Sequence, residues 1–321
     1  MLRQLTFIFF LFLGFQCSWA FNGVNPPIHF SNAEVLNPYT TRIPFKLVDH
    51  LIVVKAEIFD QEGNFIIDTG SETMILNKVH FSNLYEHQKK NASSSGIMHS
   101  VEDSYEKHIK EFVLQNFKLE NKNSDVIDLS HIEKSKKIKL LGVIGYNILK
   151  DYEVFIDMHL NQITLNKVDK AGNKFNNHVY LERIVDSVDF KLVNHTIVVN
   201  GQINNQNVRL GIDSAAEFNQ INKSVPKTVL KYFIPKKRMR LSGINNRKVE
   251  VLAGKLHRVK LNKKIYFGPM LTVLTNLNRM NEAFGTNLDG ILGYEFFAQK
   301  RTIINYQKEK LYFIDYPLNH Q

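Results

Sequence analysis

The sequence is short of the residues that mark several protein classes. Its 321 residues include one cysteine and one tryptophan. A single thiol cannot close an internal disulfide, and it excludes a multi-cysteine zinc or iron–sulfur site. Sixteen glycines and eight prolines are too few for a collagen-like or low-complexity chain. Beyond the N-terminus, no segment approaches the ~18 apolar residues of a membrane-spanning helix. The patterns His-Glu-x-x-His, Gly-x-Ser-x-Gly, Gly-x-Gly-x-x-Gly and the P-loop do not occur, so zinc-peptidase, serine-hydrolase and nucleotide chemistry lack their motifs. The twelve histidines show no metal-ligand spacing. His80, His87, His99 and His108 lie in polar sequence that reads as solvated surface. Neither a metal nor a cofactor is expected.

What remains is a globular composition, 44% hydrophobic and 22% charged, with a net charge of +10. The basic runs Lys134–Lys139 and Lys236–Arg240 read as solvated loops. No aromatic platform interleaves them, so no nucleic-acid partner is expected. Residues 1–20 read as a secretory signal peptide. Arg3 supplies the positive start, Leu5–Phe15 the apolar core, and Ser18-Trp19-Ala20 the small residues before a cut after Ala20. That cut removes both Cys17 and Trp19. A lipoprotein signal centred on Cys17 is the rival reading, but Phe15 and Gln16 before it are larger than such a signal accepts. The expected chain is exported, periplasmic or extracellular, with no stable membrane span after cleavage.

The strongest feature is an internal duplication. Phe45–Val54 (FKLVDHLIVV) matches Phe190–Val199 (FKLVNHTIVV) at an offset of 145 residues, with 8 of 10 positions identical. The same offset aligns Asp68 with Asp213. Ser95-Gly96-Ile97 matches Ser242-Gly243-Ile244 at 147, and Gly142–Tyr146 matches Gly290–Tyr294 at 148. Such slowly growing offsets describe two copies of one unit with small insertions. Each copy reads as β. Leu51–Ile58 and Thr196–Ile203 are strands, followed by hairpin loops at Gln61–Asn64 and Asn204–Asn207. Strands Phe65–Ile67 and Leu210–Ile212 then run into the aligned aspartates. Lys110–Lys118 and Lys255–Leu261 are weaker candidates. Val154–Ile156, Ile163–Leu165, Thr302–Ile304 and Leu311–Ile314 close the copies. The polar stretch Asn166–His178 reads as the linker.

The chemistry concentrates at Asp68-Thr69-Gly70-Ser71, which follows a hydrophobic strand. A hydrophobic-hydrophobic-Gly element (Val143-Ile144-Gly145) comes about 75 residues later. Both recur, as Asp213-Ser214-Ala215 and Ile291-Leu292-Gly293. With these residues in place, the sequence resembles the pepsin/retropepsin family of aspartic peptidases over Pro44–Leu165 and Phe190–Phe313, and is most similar to secreted bacterial retropepsin-like proteins. The resemblance implies an all-β, bilobal, monomeric chain of two retropepsin-like lobes, residues 21–170 and 171–321. It implies a dyad of Asp68 and Asp213 in the inter-lobe cleft and a peptide or protein substrate. It also implies flap hairpins near Gly96 and Gly243. Paired carboxylates suit this chemistry because two close acids share one proton, so that one serves as base and the other as acid. Thr69 and Ser214 have the hydroxyls to cross-brace the loops. The Ser71 hydroxyl is expected to support Asp68, and Gly70 to allow close approach.

The second copy departs from the pattern at Ala215, where the family has glycine, and at Asn219-Gln220-Ile221, where the first copy has Met74-Ile75-Leu76. If position 215 needed a positive φ, alanine would cost roughly 1–2 kcal/mol. Two function classes therefore stand open: an active peptidase, or a catalytically inactive binding protein on the same scaffold. A third, an envelope-associated protein that uses its basic face, is carried only by the charge.

Overall fold

The computed structural model describes residues 28–81, 94–96, 99–101, 105–115, 117–177, 183–242 and 248–315. The signal-sequence reading, Cys17, His87 and Gly243 fall outside them. Strands hold 55% of the described residues and helices 12%, so the fold is all-β. No helix among the described residues is long and apolar enough to cross a membrane.

The first copy forms a seven-stranded sheet, six strands of which close on themselves. The closed order is Leu51–Ile58, Gln61–Ile67, Leu140–Ile144, Met74–Asn77, Phe117–Ile127 and Tyr105–Leu114, which returns to the first strand at Glu57 opposite Val113. Closure leaves few edges and wraps the apolar side of each strand around one core. Ile52, Val54, Phe65, Ile67, Leu76, Phe112 and Ile144 are buried in it. The second copy repeats the order with Thr196–Ile203, Gln206–Ile212, Gly290–Leu292, Asn219–Asn222, Met270–Thr275 and Lys248–Leu256. Even the register repeats. Phe65, Ile66 and Ile67 run parallel to Gly142, Val143 and Ile144, as Leu210, Gly211 and Ile212 do to Gly290, Ile291 and Leu292.

A second set of strands joins the copies. Thr40–Pro44, Gln162–Lys167 and Tyr152–Asp157 meet Arg301–Asn305, Lys310–Ile314 and Ile184–Val193 in one antiparallel sheet. At its centre Phe155 faces Ile303, with Val154 opposite Ile304 and Ile156 opposite Thr302. At the offset of 148, Phe155 and Ile303 are equivalent positions. An approximate two-fold axis therefore passes through that pair.

This central sheet buries polar groups in symmetric places. Arg301 and Asp157 form an ion pair at 2.6 Å, their side chains 2% and 3% exposed. The other Asp157 oxygen accepts the backbone N–H groups of His159 and Leu160. At the equivalent positions Asn305 donates to Glu153 at 3.1 Å, and Lys174 pairs with Glu153. A buried charge is tolerable only when it is paired and its remaining lone pairs are satisfied.

Several local expectations shift. The first hairpin turns at Phe59-Asp60, both left-handed, and Gln61–Asn64 already belongs to the strand. Asn204-Asn205 forms the equivalent turn, and asparagine tolerates that conformation well. Lys110–Lys118 is not one strand, because the chain reverses at left-handed Gln115 between two long strands. Lys255–Leu261 divides likewise, between Lys248–Leu256 and Val259–Lys260. Lys134–Lys136 lie on the helix Ser130–Lys136, and Lys236–Arg240 on the strand Phe233–Ser242. The Asn166–His178 stretch is ordered over its described part. Asp169 caps the N–H groups of Ala171 and Asn173, and Asn166 donates to the Asn176 carbonyl.

Replacing Arg301 with alanine leaves Asp157 buried without its partner. Arg301→Ala should cost about 3–5 kcal/mol, read as a lowered urea midpoint at pH 7. Arg301→Met combined with Asp157→Leu should recover much of that loss.

Candidate active site

Each aspartate follows a strand that ends at the junction of the two copies. Asp68 N–H donates to the Ile144 carbonyl at 3.0 Å, and Asp213 N–H donates to the Leu292 carbonyl at the same distance. The neighbouring glycines allow this approach. A Cβ on Gly145 would stand 2.3 Å from the Thr73 carbonyl oxygen, and one on Gly293 would stand 2.1 Å from that of Ala216. Neither has a positive φ, so space and not backbone freedom demands glycine there. The N–H groups of Tyr146 and Tyr294 then donate to the Ser71 and Ala216 carbonyls, pinning each aspartate loop to the hydrophobic-hydrophobic-Gly element of its own copy.

Across the junction the loops brace one another reciprocally. Thr69 N–H donates to Ser214 Oγ at 3.0 Å, and Ser214 N–H donates to Thr69 Oγ1 at 2.9 Å. The two hydroxyls then donate onward, Thr69 to the Ile212 carbonyl and Ser214 to that of Ile67. All of these groups are buried. The brace sets the carboxyl groups of Asp68 and Asp213 face to face across the junction. Gly70 and Ala215 N–H each donate to the carboxylate two residues earlier, both at 2.8 Å. A Cβ on Gly70 would lie 2.8 Å from Asp213 Cγ.

Burial and the facing carboxylate together hold Asp68 well above the usual carboxylate range. Asp213 is also raised, by burial, against the pull of the Ala215 and Ala216 N–H groups. One proton shared between them is the arrangement that relieves both costs.

Ser71 does not act as expected. Its hydroxyl donates to the Thr73 carbonyl at 2.9 Å, and its backbone N–H donates to the Asp68 main-chain carbonyl at 3.4 Å. Ala215 carries no left-handed strain, and its methyl group packs against the apolar cluster of Leu51, Val53, Ile66 and Val143. Asn219, in place of Met74, is fully buried. It accepts the Gly293 N–H at 2.7 Å and donates to Met270 Sδ, so its polarity holds the second loop. Ser94–Gly96 pairs with His99–Val101 as a separate hairpin, and comes within 8 Å (Cα–Cα) of the helix Asn278–Phe284 of the other copy.

Three residues of this region carry no motif. His50 and His195 stand at the same place in the repeated turn, and each reaches the opposite copy just past its aspartate. His50 stacks on Tyr294 at 4.2 Å and its Nδ1 meets the Glu217 carbonyl. His195 lies edge-on to Phe284, with Nδ1 3.9 Å from Glu72. Burial holds His195 below the ordinary imidazole range. Their identity in both repeats was a usable signal. Tyr306 was not findable, since Met158 stands at its equivalent position. It is buried edge-on to Tyr146, with its hydroxyl pushed up by burial and by both aspartates. Nor is every polar residue solvated. His80 pairs with Glu133 at 2.6 Å, and Lys136, 10% exposed, pairs with Asp49 and with Glu217 of the second copy. Among the described residues no group of acidic, histidine or cysteine side chains could hold a metal ion.

No family model and no curated protein matches this chain.

Two outcomes follow from the electrostatics. Both aspartates have folded pKa values above their unfolded ones, so their stabilising contribution is full below the unfolded pKa and is lost as pH rises through the folded values. Asp68→Asn should therefore raise thermal stability at pH 8 by on the order of 1–3 kcal/mol, with little gain at pH 4. Ala215→Gly should relieve no strain and should lower stability by roughly 0.5–1 kcal/mol, measured by urea unfolding.

Proposed function

We propose that this chain is an exported aspartic endopeptidase, with Asp68 and Asp213 as its catalytic pair and a pepsin-like arrangement of two lobes. The observation that carries the reading is the apposition of the Asp68 and Asp213 carboxyl groups, held by equivalent loops that brace each other on either side of an approximate two-fold axis. Structural carboxylates usually gain a cation or several donors. Here each meets another acid, an arrangement that stability alone does not favour.

The reaction proceeds by acid–base catalysis. With one proton on the pair, the ionised carboxylate takes a proton from a water molecule as its oxygen attacks the peptide carbonyl carbon. The protonated carboxyl donates to the carbonyl oxygen as negative charge gathers there. The resulting tetrahedral diol collapses, the C–N bond breaks, and a proton from the pair goes to the departing amine. The Gly70 and Ala215 N–H groups hold one oxygen of each carboxylate, leaving the others to work on substrate. The strand pair Ser94–Gly96 and His99–Val101 is the candidate cover. The substrate is a peptide or protein, and the chain acts as a monomer.

The non-catalytic alternative rested on Ala215 and Asn219. Unstrained Ala215 and the hydrogen-bonded Asn219 fit an intact second half-site, and favour the catalytic reading. The test is cleavage of a mixed peptide library by the chain from Phe21 onward, between pH 3 and 7. Activity should need one proton on the pair. It should fall when both acids are protonated, and fall again as the shared proton leaves, above the usual carboxylate range. Asp68→Asn and Asp213→Asn should each reduce kcat by at least about 1000-fold. Cleavage that survives either substitution, or no cleavage by folded protein at any pH, sinks the reading.

A further inference from the structure

The second copy holds a cavity that no residue of the aspartate loops lines. It measures about 180 Å³, opens to solvent, and sits where three strands of the central sheet begin or end. One water takes up only ~30 Å³ in the liquid, so the space admits a small molecule. Two devices shape it. The strand Ile184–Val193 slips register between Ile184 and Asp186 against Ile314 and Phe313, which leaves Val185 as a bulge at the cavity. Next to it, Asn262 clamps the loop that carries Lys264 and Ile265. Its amide donates to Asp186 at 2.9 Å, and its oxygen accepts the Lys264 and Ile265 N–H groups at 2.8 and 2.7 Å. The walls are therefore fixed by the protein's own hydrogen bonds, as in a largely pre-formed ligand site.

The lining divides into an apolar wall and two pairs of opposite charges. Val185, Ile265, Phe313 and Ile314 form the wall, the last three of them buried. Lys264 and Lys300 bring ammonium groups, and Asp186 and Asp315 bring carboxylates. Arg301 also lines the cavity, but Asp157 meets its charge. The other four charges sum to zero, yet neither lysine forms an ion pair among the described residues. The half-buried Lys300 ammonium stands 5.5 Å from the centre of the Tyr266 ring, and burial holds it below the ordinary lysine range. Charges that share a cavity without pairing leave room for a ligand that meets both signs. An anion or a cation alone satisfies only one of the two pairs.

We propose that this cavity binds a free α-amino acid with an aliphatic side chain, of which leucine is the type. The ligand's carboxylate meets Lys264 and Lys300, its ammonium meets Asp186 and Asp315, and its side chain lies on the apolar wall. The zwitterion is neutral overall, as are the four charges around it. A residue inside a peptide has neither charge, so the site distinguishes a free amino acid from an internal one. The inference goes beyond the peptidase reading and does not depend on it, since Asp68 and Asp213 take no part in the cavity.

The experiment titrates the folded chain from Phe21 onward with L-leucine, followed by calorimetry and by the labelled methyl NMR signals of Ile265 and Ile314. Three analogues each remove one feature. Leucinamide lacks the carboxylate charge, isocaproate lacks the ammonium, and glycine lacks the side chain. Leucine should shift both signals to saturation, and each analogue should bind at least about tenfold more weakly. Lys300→Met should weaken leucine about tenfold and leave leucinamide unchanged. Asp186→Asn should weaken leucine to a similar degree and leave isocaproate unchanged. Lys227→Met, outside the cavity but with the same change in net charge, should alter nothing. No saturable response to leucine overturns the proposal. So does equal binding of leucine and any of the three analogues, or leucine affinity untouched in folded Lys300→Met and Asp186→Asn. Leucine binding should persist in Asp68→Asn, so failure of this site and failure of the peptidase reading are seen separately.

Discussion

Two ionised carboxylates repel when pressed together away from water, and this junction holds Asp68 and Asp213 together nonetheless. One proton shared by the pair would relieve the repulsion, and the backbone N–H groups of Gly70 and Ala215 steady the carboxylates. It is opposed mechanically by the Thr69–Ser214 brace, in which each loop donates to and accepts from the other. The brace itself is buried, so water cannot replace a lost donor there. The surrounding structure serves to keep four short segments, the two aspartate loops and the two glycine elements, at contact distance.

That contact depends on the central sheet. Its six joining strands come equally from both copies, and the axis through Phe155 and Ile303 runs along the same symmetry that relates the loops. The Arg301–Asp157 pair and the Glu153–Asn305 contact stand at equivalent places on either side. Further links span the copies near the site: His50 on Tyr294, His195 beside Glu72, and Lys136 between Asp49 and Glu217. Most use residues just past an aspartate or in the turn that precedes its strand. The copies are thus fastened together around the carboxyl groups as well as through the central sheet.

The two copies share the symmetry and use it unequally. Asn219 stands where the first copy has Met74 and accepts the Gly293 N–H. Ala215 stands where the first copy has Gly70, without left-handed backbone, and its methyl group packs on an apolar cluster. Glu153 and Arg301 occupy equivalent positions with opposite charge, each with a different buried partner. Differences of this kind are open to a single chain, because each half is free to change without altering the other.

The sequence by itself determined the duplication and several of its strands. β-Branched runs mark Leu51–Ile58 and Thr196–Ile203 to the residue, and the repeat offsets pair Asp68 with Asp213. Those signals are local, or depend only on copying, so one dimension suffices to carry them. Turn positions were less legible. Phe59 and Gln115 are not typical turn residues, and they adopt left-handed backbone because the pairing on either side requires a reversal there. Only the tertiary structure decided that the two carboxyl groups face one another, that the Ser71 hydroxyl turns away from Asp68, and that Ala215 is unstrained. It alone brought Tyr306, His50 and His195 to the site. Each of these depends on distances between segments far apart in the chain, and on the space left once every other side chain has been placed.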